Sequence, residues 1–185
     1  MKRPTWTFGT LIVCALAVAG CSTAHTTLPM AVQEQARVRN EGYSLLCQLL
    51  SQESGVADIL KIKNADAPIA GLIKEIASVC GQAKKELELF RKGSRDLNWE
   101  VTNLPRIEQQ TRTAIKSTVA KQLLFSSGKT FEARLLSTQA EAMNYAAHLA
   151  KVLHDQEDNP PRKEFLTTLS QRCTAFHDKA INLLK

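Results

Sequence analysis

The sequence predicts an all-α fold, an up-and-down antiparallel bundle of four to five helices, on three observations. Gly (8) and Pro (6) are scarce among 185 residues, while Ala, Leu, Lys, Gln and Glu dominate, a helix-forming composition. β-branched and aromatic residues are thin and scattered, and the Asn-Gly and Asp-Gly hairpin dipeptides are absent. Apolar residues recur at three- and four-residue steps through most of the chain, the spacing of one helix face. With 44% hydrophobic and 23% charged residues, the composition is that of a globular chain long enough for one domain.

The elements follow in order. Pro29 suits a first helical turn. Leu45, Leu46, Leu49 and Leu50 then make a stripe that resumes at Val56, Ile59 and Ile62 beyond Ser54-Gly55. This reads as one helix over 30–63, kinked at the glycine. Asp66 and Pro68 open the clearest helix, whose stripe runs Ile69, Leu72, Ile73, Ile76, Cys80, Ala83, Leu87 and Phe90 before Gly93 ends it. Trp99, in the connector that follows, is expected to plug one end of the core. A third helix starts at Asn103 and Pro105; its first half, Arg106–Thr118, is polar for a core helix, and Val119, Leu123, Leu124 and Phe125 come later. Residues 126–129 read equally as a tight turn or a kink. Phe131, Leu135, Ala142, Ala146, Leu149 and Leu153 mark the next helix, and Asn159-Pro160 caps the last, with Phe165, Leu169, Cys173, Phe176, Ala180 and Leu183. No repeat of fixed period and no sustained heptad register appears, against a solenoid or a coiled-coil stalk.

The N-terminus reads differently. Lys2 and Arg3 precede an uncharged, largely apolar run from Phe8 to Ala19, then small residues and Cys21. This is the layout of a secretory signal peptide, and the run is shorter than the ~20 residues a spanning helix needs. The segment Val18-Ala19-Gly20-Cys21 resembles the lipobox of bacterial lipoproteins: an aliphatic residue, two small ones and a cysteine. The resemblance implies cleavage before Cys21, with residues 1–20 removed and lipid attached covalently to that cysteine. More than one acyl chain then holds the protein stably to a membrane. Ser22, in place of Asp after the cysteine, implies sorting to the outer membrane, facing the periplasm. Residues 21–29 read as a flexible tether carrying a solvated His25, and 30–185 as a single bundle domain. Removing Lys2 and Arg3 from the 24 basic residues leaves 22 against 18 acidic ones. That surplus is too small and dispersed to suggest nucleic acid.

Cys47, Cys80 and Cys173 remain, in a compartment where disulfides persist. If helices 30–63 and 66–92 fold back around Asn64, Cys47 and Cys80 stand at nearly the same height. A bridge between them would close a loop of about 34 residues, worth about 3–4 kcal/mol in the chain-entropy picture. Against it, packed helix axes lie about 8–10 Å apart, whereas a disulfide wants Cα atoms within about 7 Å. The alternative is buried thiols acting as small apolar residues.

Chemistry-bearing motifs are few. The bundle is similar to ferritin-like proteins, whose di-iron site implies paired Glu-x-x-His motifs; Glu75, Glu132, Glu141 and Glu164 all lack His at the third position on. No Gly-x-Ser-x-Gly elbow, Walker loop or Cys-x-x-Cys-His is present. Glu141, Tyr145 and His148 fall on one helical line, and His177 stands near the height of Gln139 if the last two helices pair. A metal or cofactor site using Glu141, His148 and His177 or Glu132 is thus one reading, and hydrogen-bonded flanking residues are another. Arg106, Arg112, Lys116 and Lys121, with Lys129, outnumber one acid, Glu108, between residues 105 and 129. That helix is a candidate interaction surface for an envelope protein or an anionic envelope polymer, or else a solvated face. The leading expectation is a lipid-anchored, non-enzymatic interaction or scaffold module with no cofactor besides the lipid on Cys21. The metal-binding bundle is second.

Overall fold

The computed structural model describes residues 30–98 and 104–185. The leader, Cys21, the tether and Trp99 lie outside the described residues. Within them the chain forms α1 (Met30–Glu53), a 3-10 turn (Val56–Lys61), α2 (Ala67–Gly93), α3 (Arg106–Phe125), α4 (Gly128–Asp155) and α5 (Pro160–Leu184). No strand occurs among the described residues, and none of their helices is long and apolar enough to cross a membrane.

Helix boundaries follow local chemistry. The Asn159 side chain accepts a hydrogen bond from the Arg162 N–H at 3.1 Å, with Pro160 and Pro161 in the first turn where a missing N–H costs nothing. Asp66 precedes α2 as expected, but its carboxylate makes no cap bond. It accepts from Lys129 Nζ at 2.7 Å instead, while the Asp66 N–H donates to Glu132 Oε1, also at 2.7 Å. The start of α2 is therefore held by α4 rather than by its own side chain. Residues 126–129 are a turn: α3 stops at Phe125, Ser126 and Ser127 are extended, and Gly128 opens α4 at φ +55°. A side chain at Gly128 would be strained in that left-handed conformation.

Four helices form a ring in the order α1–α2–α5–α4, each antiparallel to its neighbours. Gly81 of α2 packs against Ser54, the residue just past the end of α1. The Phe90 and Phe165 rings meet edge to face at 5.6 Å and Lys179 reaches Glu75, which sets α2 against α5. Ser170 donates to the Ala147 carbonyl across α4 and α5. Gly42 of α1 meets Leu153 of α4 so closely that a Cβ there would lie 2.5 Å from a Leu153 methyl. The stripe residues expected on α2 from Ile69 to Leu87 are all buried in the ring interior, with Leu46, Leu50, Leu135, Met143 and Leu166 from the other helices.

The α1–α2 register corrects one expectation. α1 ends at Glu53, and residues 56–61 tighten into a 3-10 turn beyond Gly55, so the reversal is centred later than Asn64. With Gly81 level with Ser54, Cys80 lies level with the end of α1 and not with Cys47. Cys80 is a buried free thiol, and no Cys47–Cys80 bridge forms. Cys173, also buried and free, sits on α5 at the height of Cys80.

At the opposite end of the ring a buried ion cluster ties three segments together. Arg162, 4% exposed, donates to both Glu157 oxygens at 2.8 Å and to Asp96 Oδ2 at 2.7 Å. Tyr43 donates its hydroxyl to Glu157 Oε2 at 2.6 Å, and the Asp158 and Asn159 N–H groups donate to Oε1 at 3.0 Å. Arg39 adds a contact to Asp96 at 3.2 Å. α1, the segment after α2 and the α4–α5 link are thereby locked together by groups whose sequence spacing carries no periodic signal.

Candidate functional site

α3 stands outside the ring, against α4, and none of its side chains is buried. Its polar first half has no apolar stripe with which to join a core, and Ile107, Ile115, Leu124 and Phe125 remain exposed, Phe125 at 88%. Between α3 and the α1–α4 seam runs an open groove of about 990 Å³. Leu45, Leu49, Val56 and Ile59 form one wall, Ile115, Val119, Leu123 and Leu124 the other, and Leu135 and Gln139 of α4 lie along the base.

Polar contacts hold α3 in place. Arg112 Nε donates to Glu108 Oε1 at 2.7 Å, and its guanidinium lies 5.9 Å from the centre of the Tyr145 ring on α4, within cation–π range. Lys63 Nζ donates to the Ser126 carbonyl at 3.1 Å, fixing the far end of α3.

The base of the groove carries a polar pair. Gln139 is only 2% exposed and hydrogen-bonds the Glu53 carboxylate. Glu53 Oε2 and Gln139 Oε1, both buried, have no hydrogen-bond partner. A buried acceptor left in this state costs about 1–3 kcal/mol, so two at one place are a marked local deficit. Burial pushes the Glu53 carboxyl above its ordinary value, while the Gln139 bond and the Lys116 charge pull it back in part. Among the described residues, the charged groups lining the groove are Glu53, Glu108, Arg112 and Lys116.

The expected site residues are placed as follows. Arg112 and Lys116 line the groove, whereas Arg106 belongs to a separate shallow recess with Gln110 and Ser117 and Lys121 is exposed outside it. The proposed metal cluster does not assemble. Glu141 and His148 are exposed, His177 Nδ1 lies 3.0 Å from the Ala140 carbonyl, and Glu132 is buried in its pairing with Lys129 and the Asp66 N–H. Among the described residues, no three His, Cys, Asp or Glu side chains are grouped so as to hold a metal ion. A shared helical line places residues on one face, and here that face is solvent for Glu141 and His148. Tyr145, from the same line, lies in the groove under Arg112 instead.

The sequence reading missed Glu53 and Gln139. Both are polar residues interrupting apolar stripes, and that interruption was the available signal. Among the described residues the groove lining contains no His, Cys, Asp or Ser, and the hydroxyls of Thr113 and Thr138 donate to carbonyls of their own helices.

These features define an all-α bundle, a four-helix ring with a fifth helix set beside one seam. Compared with known protein families, curated proteins and solved structures, the chain matches none.

Proposed function

We propose that this protein is a lipoprotein of the bacterial envelope, held by lipid on Cys21 at the outer membrane, that acts as a non-enzymatic binding module in the periplasm. The lipobox-like Val18-Ala19-Gly20-Cys21 supports the anchoring. The observation that carries the binding role is the groove, an apolar trough flanked by a helix that buries none of its own side chains. A helix excluded from the core but kept in register by Arg112 and Lys63 is suited to holding a ligand against the α1–α4 seam.

Two measurements test this reading. Metabolic labelling with palmitate should mark the wild-type protein and not the Cys21→Ser variant, which should leave the membrane fraction; an unlabelled wild-type protein removes the anchor. Amide hydrogen exchange over residues 106–125 should be slower in protein still in its membranes than in the purified, delipidated chain. Equal exchange in the two states would remove the groove as the binding element.

A further inference from the structure

Resting on the reading of the chain as an envelope protein, we propose that Cys80 and Cys173 are a disulfide site, joined as the ring folds and then sealed inside it. The two lie on adjacent helices, α2 and α5, and both are wholly buried. Both are free thiols in the structure, so the arrangement described is that of the reduced chain.

Register brings them together. Lys179 reaches Glu75 and the Phe165 ring meets Phe90, which fixes the antiparallel pairing of α2 with α5 on either side of the cysteines. Counted from the first contact the two cysteines differ by one position, and from the second by two, an offset of about 1.5–3 Å at the helical rise. Each belongs to the apolar stripe that its helix turns into the ring. Burial, and after it the neighbouring Cys173, push the Cys80 thiol up, so the two side chains lie within electrostatic reach of each other. Axes about 8–10 Å apart do not forbid a bond between positions that face each other. Cα atoms stand about 2.3 Å off each axis, so inward-turned residues on neighbouring helices come within the span of about 7 Å that a disulfide needs. Cys47 is no competitor, because Cys80 stands level with the end of α1.

The bond needs a two-electron oxidant, which a disulfide compound of the compartment supplies. One cysteine thiolate attacks that disulfide, forming a mixed disulfide and releasing one thiolate of the oxidant. The second cysteine thiolate attacks the sulfur of the first, closing the Cys80–Cys173 bond and releasing the oxidant's other thiolate. The oxidant ends as two thiols, carrying the two protons that the cysteines lost. Exchange runs through thiolates, which burial suppresses in the folded protein, so the bond forms before the α2–α5 seam closes. α3 and α4 lie in the long loop it closes, and it stabilises the fold by restricting the unfolded chain.

The test refolds the full chain, carrying Cys14→Ser and Cys21→Ser, from the reduced, unfolded state in a mixture of reduced and oxidised glutathione. Remaining thiols are alkylated and the unreduced protein is cut after Lys and Arg, which leaves Cys80 within residues 75–84 and Cys173 within residues 173–179. Mass spectrometry should find these two peptides linked, and the link should vanish on reduction. The urea midpoint of the oxidised protein should exceed that of the reduced protein, and in Cys173→Ala the redox state should make no difference. Alkyl groups or glutathione on both cysteines of the refolded protein, or a link from either to Cys47, overturns the proposal; equal midpoints overturn the stabilising role. Protein taken from the membrane fraction, its thiols trapped by acid, separates this proposal from the reading it rests on. Free thiols there, together with a link formed in glutathione, overturn the envelope location and leave the pairing standing. The link is read on unaltered Cys80 and Cys173, so it decides the matter even if Cys173→Ala does not fold.

Discussion

Arg162 grips Glu157 with two hydrogen bonds of 2.8 Å, and both side chains are almost wholly buried, at 4% and 1% exposure. Such a pair is costly to break by halves, because removing one partner strands the other charge out of water. Arg162→Met is expected to lower unfolding stability by about 3–5 kcal/mol in urea titrations. Tyr43→Phe should cost less, about 1 kcal/mol, since Arg162 still holds Glu157 Oε2. Burial raises the Glu157 carboxyl, but the bonds from Arg162, Tyr43 and the Asn159 N–H outweigh it, so its net value falls below the ordinary 4.5. Its contribution is complete above pH 4.5 and disappears as pH falls through the lowered value. A urea midpoint independent of pH from 4.5 downward would contradict this account.

Glu53 behaves in the opposite sense. Its folded carboxyl titrates above 4.5 because burial disfavours the charge. Between 4.5 and that raised value the folded state holds a proton the unfolded state has lost, so this group's share of stability declines as pH rises. Glu53→Gln copies the protonated form and is expected to be more stable than wild type at pH 7, with the advantage vanishing near pH 4. Thermal unfolding midpoints of both proteins across that range provide the check. A variant less stable than wild type at pH 7 would reverse the assignment.

Gly42 permits a close approach of α1 to Leu153 of α4. Its missing Cβ leaves room for Leu153, which is itself buried, so the leucine cannot swing freely away. Gly42→Ala brings helix propensity worth about 1 kcal/mol but overpacks a core contact at about 1–3 kcal/mol. A net loss of stability is expected, and pairing the change with Leu153→Ala should recover part of it. Denaturant midpoints of the single and double variants measure the coupling.

Cys80 and Cys173 should resist thiol reagents in the folded protein. Burial pushes both thiols up, Cys173 to about 12, so thiolate is scarce and access is closed. With an aromatic disulfide reagent at pH 8, both should react only at the rate of unfolding. Fast modification of either without denaturant would show that the α2–α5 seam opens locally.

The ring was legible in the sequence to the extent that each helix carries its own apolar period. α2 shows this best: the stripe from Ile69 to Leu87 names every buried residue of that helix except Val79. α3 was legible as an exception, and its polar first half became a helix that buries nothing. The site was less accessible. Glu141 and His148 share a line on α4, but nothing in that line says whether it faces a partner helix or water.

The amino-acid sequence alone determined the helical class and the breaks near residues 94 and 158, because these depend on local periodicity and local turn chemistry, whereas it read 30–63 as one kinked helix and left 126–129 open between a turn and a kink. Only the tertiary structure decided which cysteines stand level, where α3 sits, and that Glu53 and Gln139 share the base of one groove. The physical reason is register. A 3-10 turn after Gly55 shifts α2 along α1, and no local interaction records how far. Pairings such as Arg162 with Asp96, or Glu132 with the Asp66 N–H, join residues 66 positions apart and exist only once the ring has closed.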